Sequence, residues 1–340
     1  MTTDIIKKVD NILVVRLGKI GDIITASFVF DVLKKNFPVC TITLITLKSN
    51  LDVIKYNRNV DKTVYVNKNI LSLFQILKLL HIYFDKIFEL NDNPSTTSRM
   101  ILKLLRGKEK IGFAFDKTNK LLTTSIEQPL KTHSHIIERT AFLLENVGVK
   151  FDKDDKRPVL CLGEKEKSDV SSHLNNFMKD AQLLSINISA GVNIRYWKTD
   201  YWIELVKLIV SRYSLIKIIL LSHPKDKSLR DRLISSFESN LFIIPKYFKF
   251  QHYASYIYFS DMLISPDTSA IHIASAFQKP VIGLYPNYEW SFVSWQPYGT
   301  PHRSIKSSAE NISEIQPREV FNAFLELSKE VNLFKKESKT

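Results

Sequence analysis

Short runs of apolar residues alternate along this chain with longer segments in which apolar residues recur every three or four positions. The short runs, such as residues 12–15, predict buried β-strands, and the longer segments, such as residues 26–36, predict amphipathic helices. Strands that alternate with helices are typical of a parallel sheet covered by helices. The pattern therefore predicts an α/β fold.

The alternation extends from one end of the chain to the other. The predicted strands are residues 12–15, 41–46, 64–66, 86–90, 110–113, 183–188, 216–221, 241–244, 262–264 and 281–285. The predicted helices are residues 26–36, 135–146, 201–213, 228–237, 253–259, 269–277 and 317–331. This order predicts two α/β halves of similar size.

A polar, lysine-rich stretch over residues 150–167 interrupts the alternation near the middle of the chain. Such a change of composition is typical of a linker between domains. We therefore expect an N-terminal domain of residues 1–160 and a C-terminal domain of residues 161–340. For the last predicted helix, residues 317–331, packing back toward the N-terminal domain is one alternative.

Composition narrows the class of protein. Of the 340 residues, 44% are hydrophobic and 24% are charged, which excludes a chain that is mainly disordered. The formal net charge of +13 favours anionic partners such as nucleic acid, phosphorylated metabolites or an acidic membrane surface. The two cysteines are too few for a disulfide framework, and the apolar runs are too short or too interrupted by charge for a membrane span. We therefore expect a cytosolic protein that is soluble or peripheral to a membrane.

The first segment with candidate chemistry is residues 16–22, Arg-Leu-Gly-Lys-Ile-Gly-Asp, between the first predicted strand and a helix expected to start near Thr25. Ligands of open α/β sheets bind at this end of the strands. Gly18 and Gly21 would permit close approach of the backbone, and Asp22 near a helix N-terminus would be a usable general base. The residues alone equally allow a helix cap at Asp22 and an ordinary glycine turn.

The second segment, residues 187–198, follows the first predicted strand of the second half. Its small residues are Ser189, Ala190 and Gly191. They offer backbone N–H groups and a hydroxyl to a phosphate, and Arg195 adds a bidentate cation. A diphosphate suits this set of groups. Trp197 is expected to pack beneath the loop rather than to stack on a ligand, because large aromatic side chains mainly serve burial.

The third segment, residues 265–272, opens the predicted helix 269–277. Asp267, Thr268 and Ser269 are residue types that cap helices, and the same helix terminus would attract an anionic ligand. His272 lies one turn into the helix, where it could reach a ligand at the terminus. A purely structural histidine is the alternative.

The three segments, in this order and on two α/β halves, resemble glycosyltransferase family 9, the ADP-heptose:lipopolysaccharide heptosyltransferases. Residues 12–22 resemble the opening strand and Gly-Asp turn of that family. Residues 84–90, 106–112 and 135–148 are also similar to segments of that family. Near the C-terminus, residues 267–272, 279–285 and 297–299 are similar to its Asp-Thr-Gly-x-x-His, Lys-Pro and Pro-Tyr-Gly series, respectively. The similarity runs over most of the chain.

The resemblance implies a GT-B architecture, in which two Rossmann-like domains face each other across a cleft. It places the acceptor on the N-terminal domain and the nucleotide sugar on the C-terminal domain. It also implies an inverting transfer that needs no metal or other cofactor. The implied reaction moves a sugar, heptose from ADP-heptose, to a lipopolysaccharide or lipid A core acceptor at the inner face of the cytoplasmic membrane.

The resemblance also implies roles for individual residues. Asp22 falls on the general base of the family, and Asp226 falls where an acidic residue holds the ribose hydroxyls. The implied donor-binding residues are Ser189, Ala190, Gly191, Arg195, Asp226, Asp267, Thr268, Ser269 and His272. On the acceptor side, the candidates are Arg16, Lys19, Gly21 and Asn91. Asp92, next to Asn91, is a further strand-end candidate, and ordinary loop chemistry explains Arg16, Lys19, Asn91 and Asp92 equally well.

Three departures from the family pattern concern the donor. Ser269 stands where the family has glycine, Arg195 replaces a lysine, and residues 285–290 replace a Gly-Pro-Thr stretch. A different nucleotide sugar is therefore an open alternative. Because Ser269 adds a side chain near the diphosphate, a non-catalytic protein that binds nucleotide sugars or polyanions is another. No signature of a nucleic-acid-binding module accompanies the positive charge, so we expect no nucleic-acid partner.

Overall fold

Each half of the chain builds a six-stranded parallel sheet flanked by helices. In this computed structural model, the described residues are 9–67, 73–115, 120–175, 177, 181–238, 241–247 and 249–334. The chain divides between Cys161 and Leu162 into two units. The fold class is α/β, as the alternation of elements predicts.

The first unit contains the sheet order β3-β2-β1-β4-β5-β6. Its strands are β1 (Asn11–Arg16), β2 (Thr41–Leu47), β3 (Lys62–Val66), β4 (Tyr83–Glu89), β5 (Arg106–Ala114) and β6 (Thr124–Glu127). Its helices are α1 (Ile20–Ala26), α2 (Phe28–Asn36), α3 (Leu51–Ile54), α4 (Leu73–Leu77), α5 (Thr96–Leu104) and α6 (Ile136–Glu145). The central strand β1 pairs with β2 and β4, and residues 12–16 are buried.

The second unit contains the sheet order β12-β11-β10-β7-β8-β9. Its strands are β7 (Gln182–Asn187), β8 (Ile216–Leu221), β9 (Phe242–Ile243), β10 (Met262–Pro266), β11 (Val281–Tyr285) and β12 (His302–Lys306). Its helices are α7 (Glu164–Leu174), α8 (Thr199–Val210), α9 (Lys227–Ile234), α10 (Phe250–Phe259), α11 (Ser269–Ala276), α12 (Glu289–Ser294) and α13 (Pro317–Glu330). Buried residues of α13, among them Phe324 and Leu327, join the core of this unit.

Two local expectations are wrong. The helix expected near Thr25 already begins at Ile20, because the carboxylate of Asp22 accepts a hydrogen bond from the backbone N–H of the N-cap residue Lys19, and Ser27 separates α1 from α2. The polar stretch 150–167 is not all linker, since α7 starts at Glu164. Its first turn carries two glutamates, which the dipole of a helix N-terminus stabilises.

Within the described part of the chain, no helix combines the length and the apolar character that a membrane crossing requires.

Candidate functional site

Asp22 lies in the first turn of α1, directly beyond the carboxyl end of the central strand β1. Its Oδ1 accepts a hydrogen bond from Nη2 of Arg16 at 2.9 Å, and its Oδ2 accepts one from the backbone N–H of Lys19 at 2.9 Å. The side chain of Asp22 is 25% exposed, whereas that of Arg16 is 2% exposed. Asp22 therefore caps the helix, as the structural alternative predicts, and also presents an oriented carboxylate to solvent.

Gly18 is required by this arrangement. A Cβ atom at that position would lie 2.2 Å from Cγ of Asp22, far inside van der Waals contact. The turn therefore accepts no side chain at Gly18 unless the carboxylate moves. The group that closely approaches the backbone of this glycine is the side chain of Asp22.

A buried polar network supports the turn from below. The guanidinium of Arg16 also donates to the carbonyl of Leu90, and Oδ1 of Asn91 accepts from the N–H of Leu17 at 2.8 Å. The amide of Asn91 donates in turn to Glu89, which sequence reasoning missed. Burial raises the pKa of Glu89. Of the acceptor-side candidates, Arg16 and Asn91 are therefore buried parts of this network, while Lys19 is exposed and Gly21 is partly exposed.

A second ion pair fixes the carboxyl end of β4. Arg139 of α6 is fully buried and donates from Nε and Nη2 to the two carboxylate oxygens of Asp92, each at 3.0 Å. Nζ of Lys131 lies 3.2 Å from the same carboxylate. This geometry holds α6 against the strand end and leaves Asp92 a structural role.

In the second unit, the loop after β7 brings Ser189 and Asp226 together. Oγ of Ser189 donates to Oδ2 of Asp226 at 2.5 Å and accepts from the N–H of His223 at 2.7 Å. The hydroxyl of Tyr196 lies 3.1 Å from both carboxylate oxygens of Asp226 and 2.9 Å from the carbonyl of Ala190. Tyr196 was missed because a lone tyrosine in a loop carries no sequence signal for this contact.

Open space surrounds the tip of that loop. A Cβ atom at Gly191 would meet no other atom within 4 Å, so packing does not demand glycine there. Lys225 is exposed, and its Nζ lies 3.3 Å from the carbonyl of Ala190 and 5.5 Å from the ring centroid of Tyr196. Lys225 is thus a second cation beside the loop, and no motif in the sequence indicated it.

Arg195 and Asp267 form the central ion pair of this unit. Nη2 of Arg195 lies 3.1 Å from Oδ2 of Asp267, and its Nη1 donates to the backbone carbonyl of Asp267 at 3.0 Å. The side chain of Asp267 is 5% exposed and that of Arg195 is 31% exposed. Burial raises the pKa of Asp267, and the charge of Arg195 opposes that shift. Ser291 also donates to this carboxylate at 3.3 Å, a contact that the sequence did not suggest.

Thr268 is the N-cap of α11. Its Oγ1 accepts from the N–H of Ala270 at 3.3 Å and from the side-chain amide of Asn187 at 3.2 Å. Ser269 begins the helix, and it is not among the described non-glycine residues with positive φ, which are Gln278, Asn332 and Phe334. The serine that replaces the family's glycine therefore fits an ordinary helix start.

His272 is buried behind this helix terminus. Its ring lies 5.6 Å from that of Trp295 in an edge-to-face arrangement, and the residue is 4% exposed. Burial lowers the pKa of His272 to about 4, and the charge of Arg195 acts in the same direction. The imidazole is therefore uncharged at neutral pH and can donate a hydrogen bond without adding positive charge.

Trp197 packs below the phosphate-loop candidate, as expected. Its Nε1 donates to the carbonyl of Ile315 at 2.9 Å, and its ring lies 4.7 Å from that of Trp202. The residue is only 2% exposed. It therefore supports the loop from the core, a role that does not involve stacking on a ligand.

Comparison with known proteins gives the family. The family model described as "Glycosyltransferase family 9 (heptosyltransferase)" matches residues 72–321, which is well over half of the chain. Among curated proteins, the chain is 22% identical over 284 residues to the lipopolysaccharide core heptosyltransferase OpsX of Haemophilus influenzae. That match covers 80% of this chain and 78% of OpsX.

Solved structures give the same fold. A family 9 glycosyl transferase from Veillonella parvula has a TM-score of 0.82 at 18% identity, and the match covers 95% of this chain and 99% of that one. The E. coli heptosyltransferase WaaC with ADP has a TM-score of 0.70 at 15% identity, covering 94% of this chain and 98% of that one. The predicted α/β fold of the GT-B type is confirmed. This chain, with its two Rossmann-like units, is a glycosyltransferase that belongs to family 9.

Proposed function

We propose that this enzyme transfers a heptose from ADP-heptose to a lipopolysaccharide core acceptor, with inversion at the anomeric carbon and without a metal ion. The family supports sugar transfer, and the relative from H. influenzae is named for the same acceptor class. A solved neighbour from E. coli was determined with ADP. In this proposal, the N-terminal unit binds the acceptor and the C-terminal unit binds the nucleotide sugar.

One observation carries the mechanism: the carboxylate of Asp22 is exposed to solvent but fixed in direction by Arg16 and by the N–H of Lys19. A fixed carboxylate can take the proton of an acceptor hydroxyl while that oxygen attacks the anomeric carbon. The bond from this carbon to the diphosphate breaks, and the nucleoside diphosphate leaves with the electron pair. Attack opposite to the leaving group inverts the configuration.

The leaving diphosphate needs positive charge and hydrogen-bond donors. Arg195 and Lys225 offer cations, and the start of α11 together with the backbone of Ala190 and Gly191 offers N–H groups, while the N–H of Ser189 donates to Asn187. Asp226 would accept hydrogen bonds from the ribose hydroxyls, beside Tyr196. Since these groups can neutralise the departing charge, we propose that turnover persists after dialysis against EDTA. Activity that returns only with added Mg²⁺ would contradict this.

Replacement of Asp22 tests the mechanism. We expect Asp22→Asn to lower kcat by roughly 10²–10⁴, because general base catalysis contributes about that factor. The affinity for ADP, measured by calorimetry, should stay close to that of the native chain. Asp154→Asn is the control, since that carboxylate is 84% exposed and pairs only at the surface. Near-normal turnover of Asp22→Asn would remove this residue from the mechanism.

The donor is best identified by a screen. A panel of ADP-, UDP- and GDP-sugars, tested for transfer to heptose-deficient lipopolysaccharide, separates heptose transfer from use of another nucleotide sugar. The non-catalytic alternative depended on Ser269, and the ordinary helical start at this residue gives it no structural support. Tight binding of ADP-sugars without any product in the screen would nevertheless favour it.

The acceptor class implies a place of work. We propose that the enzyme acts in the cytoplasm, peripherally at the inner face of the cytoplasmic membrane, because lipid A anchors the acceptor there. The net charge of +13 would attract both the phosphorylated acceptor and anionic lipid. Lysates fractionated at low and at high salt test this, since salt should release a peripheral protein from membranes.

A further inference from the structure

Exposed large apolar side chains are concentrated in one stretch of the first unit, residues 74–104. Among the described residues, six of the thirteen exposed large apolar side chains fall between positions 74 and 104. We name these six the α4–α5 patch: Phe74, Leu77, Leu80, Tyr83, Met100 and Leu104. Scattered single apolar residues are normal on a protein surface, whereas a concentration of this kind indicates an interaction site.

The two helical segments that carry most of the patch cover one face of the sheet. The inner residues beside them, Ile76 and Leu79 in one segment and Ile101 and Leu102 in the other, pack in a single core cluster. The two segments therefore cover the same side of the sheet. At its edge, Tyr83 of β4 pairs in register with Arg106 of β5, at the amino ends of these strands.

Cations accompany the patch. Five exposed lysine and arginine residues lie in the same segments: Lys78, Arg99, Lys103, Arg106 and Lys108. Between residues 73 and 108 the acidic residues are Asp85, Glu89 and Asp92. Asp85 accepts from the N–H groups of Asp10 and Asn11, and the other two are buried. Within residues 73–108, no exposed carboxylate offsets these cations, and Glu109, the next residue, pairs with Lys86 at 2.6 Å.

We propose that the α4–α5 patch docks the enzyme on an anionic lipid bilayer. Phe74, Leu77 and their apolar neighbours would enter the boundary between headgroups and acyl chains, and the basic residues would contact lipid phosphates. Leu80, Tyr83 and Leu104 of the patch lie at or next to the amino ends of β4 and β5, whereas Asp22 lies at the carboxyl end of β1. Docking there leaves the carboxyl edge of the sheet uncovered. The inference rests on the proposed function only in the reason given for docking, which is to bring the enzyme to a lipid-anchored acceptor.

Vesicle binding tests the docking without donor or acceptor, so its result is independent of the transfer reaction. The full chain is sedimented with vesicles of phosphatidylethanolamine alone, or mixed equally with phosphatidylglycerol. We expect binding to the mixed vesicles, weakened by salt. Phe74→Ser combined with Leu77→Ser should lower the partition coefficient more than tenfold, because each half-exposed side chain contributes roughly fivefold. Lys103→Gln should lower it roughly fivefold.

The matched control is Leu215→Ser, since Leu215 is 49% exposed, Leu77 is 46% exposed, and both are leucines. It should bind vesicles like the native chain, and the patch variants should keep turnover on detergent-dispersed acceptor. Vesicle binding by the double variant equal to that of the native chain would overturn the inference, as would an equal loss in Leu215→Ser. If the native chain self-associates in lipid-free buffer and the double variant does not, the patch joins two copies of this chain and the inference is wrong.

Discussion

The stability of this enzyme should depend on pH through His272. The imidazole is 4% exposed, and burial is the main reason why its pKa falls from 6.5 to about 4. In the unfolded chain the same side chain is hydrated and titrates at its ordinary value. The variant that tests this is His272→Gln, because glutamine is a polar side chain of similar size that cannot take up a proton between about pH 4 and neutral pH.

The size and sign of the effect follow from proton linkage. Between pH 6.5 and about 4, the unfolded chain binds a proton at His272 and the folded chain does not. Protons therefore favour unfolding, and the free energy of unfolding decreases by up to about 1.4 kcal/mol per pH unit as the pH falls. Over the whole window the loss is about 3 kcal/mol, and above pH 6.5 the contribution is fully retained.

Urea unfolding of both proteins from neutral pH down to about pH 4 measures the effect. The buried carboxyl groups of Asp267 and Glu89 have raised pKa values and act in the opposite direction, so only the difference between the two proteins isolates His272. The native chain should lose about 3 kcal/mol more than His272→Gln. A difference that stays constant over this pH range would refute a buried, uncharged imidazole.

Three further substitutions test other parts of the structure. Gly18→Ala places a Cβ atom 2.2 Å from Cγ of Asp22 and should displace its carboxylate, so turnover should fall on the order of 10²-fold. The ADP affinity measured by calorimetry should stay unchanged, and normal turnover would contradict the steric argument. Tyr196→Phe removes the hydroxyl that contacts Asp226, and calorimetry should show an ADP affinity lower by roughly fivefold. An unchanged affinity would show that this contact does not contribute to donor binding. Trp197→Ala should lower the free energy of unfolding by roughly 3–5 kcal/mol in urea titration, and a loss below about 1 kcal/mol would contradict its place in the core.

The sequence predicted buried strands far better than edge strands. Residues 216–221 and 281–285 were predicted with their observed bounds, because strands buried on both faces read as continuous apolar runs. The strands β6 and β12 were missed. They lie at the sheet edges and mix polar with apolar residues, as in His-Arg-Ser-Ile-Lys of β12, so no apolar run marks them.

The positions of candidate site residues were easier to predict than their partners. Ser189 and Asp226 were each singled out, but their hydrogen bond joins positions 37 residues apart and needs the fold to bring β7 and β8 side by side. Tyr196 and Ser291 were missed for the same reason. A motif shows which residue types meet a ligand, whereas the groups that orient them come from elsewhere in the chain.

The two arginine–aspartate pairs show how such orientation separates the roles of similar residues. In the N-terminal unit the arginine is the buried partner, with Arg16 2% exposed and Asp22 25% exposed. In the C-terminal unit the order is reversed, with Asp267 5% exposed and Arg195 31% exposed. Only the exposed member of a pair can reach a substrate, while the buried member fixes its direction. The first pair therefore presents a carboxylate, suited to accept a proton, and the second presents a guanidinium, suited to meet a diphosphate. Exchange of the two residues within either pair would keep the ion pair but present the opposite charge, so the proposed chemistry depends on which partner is buried.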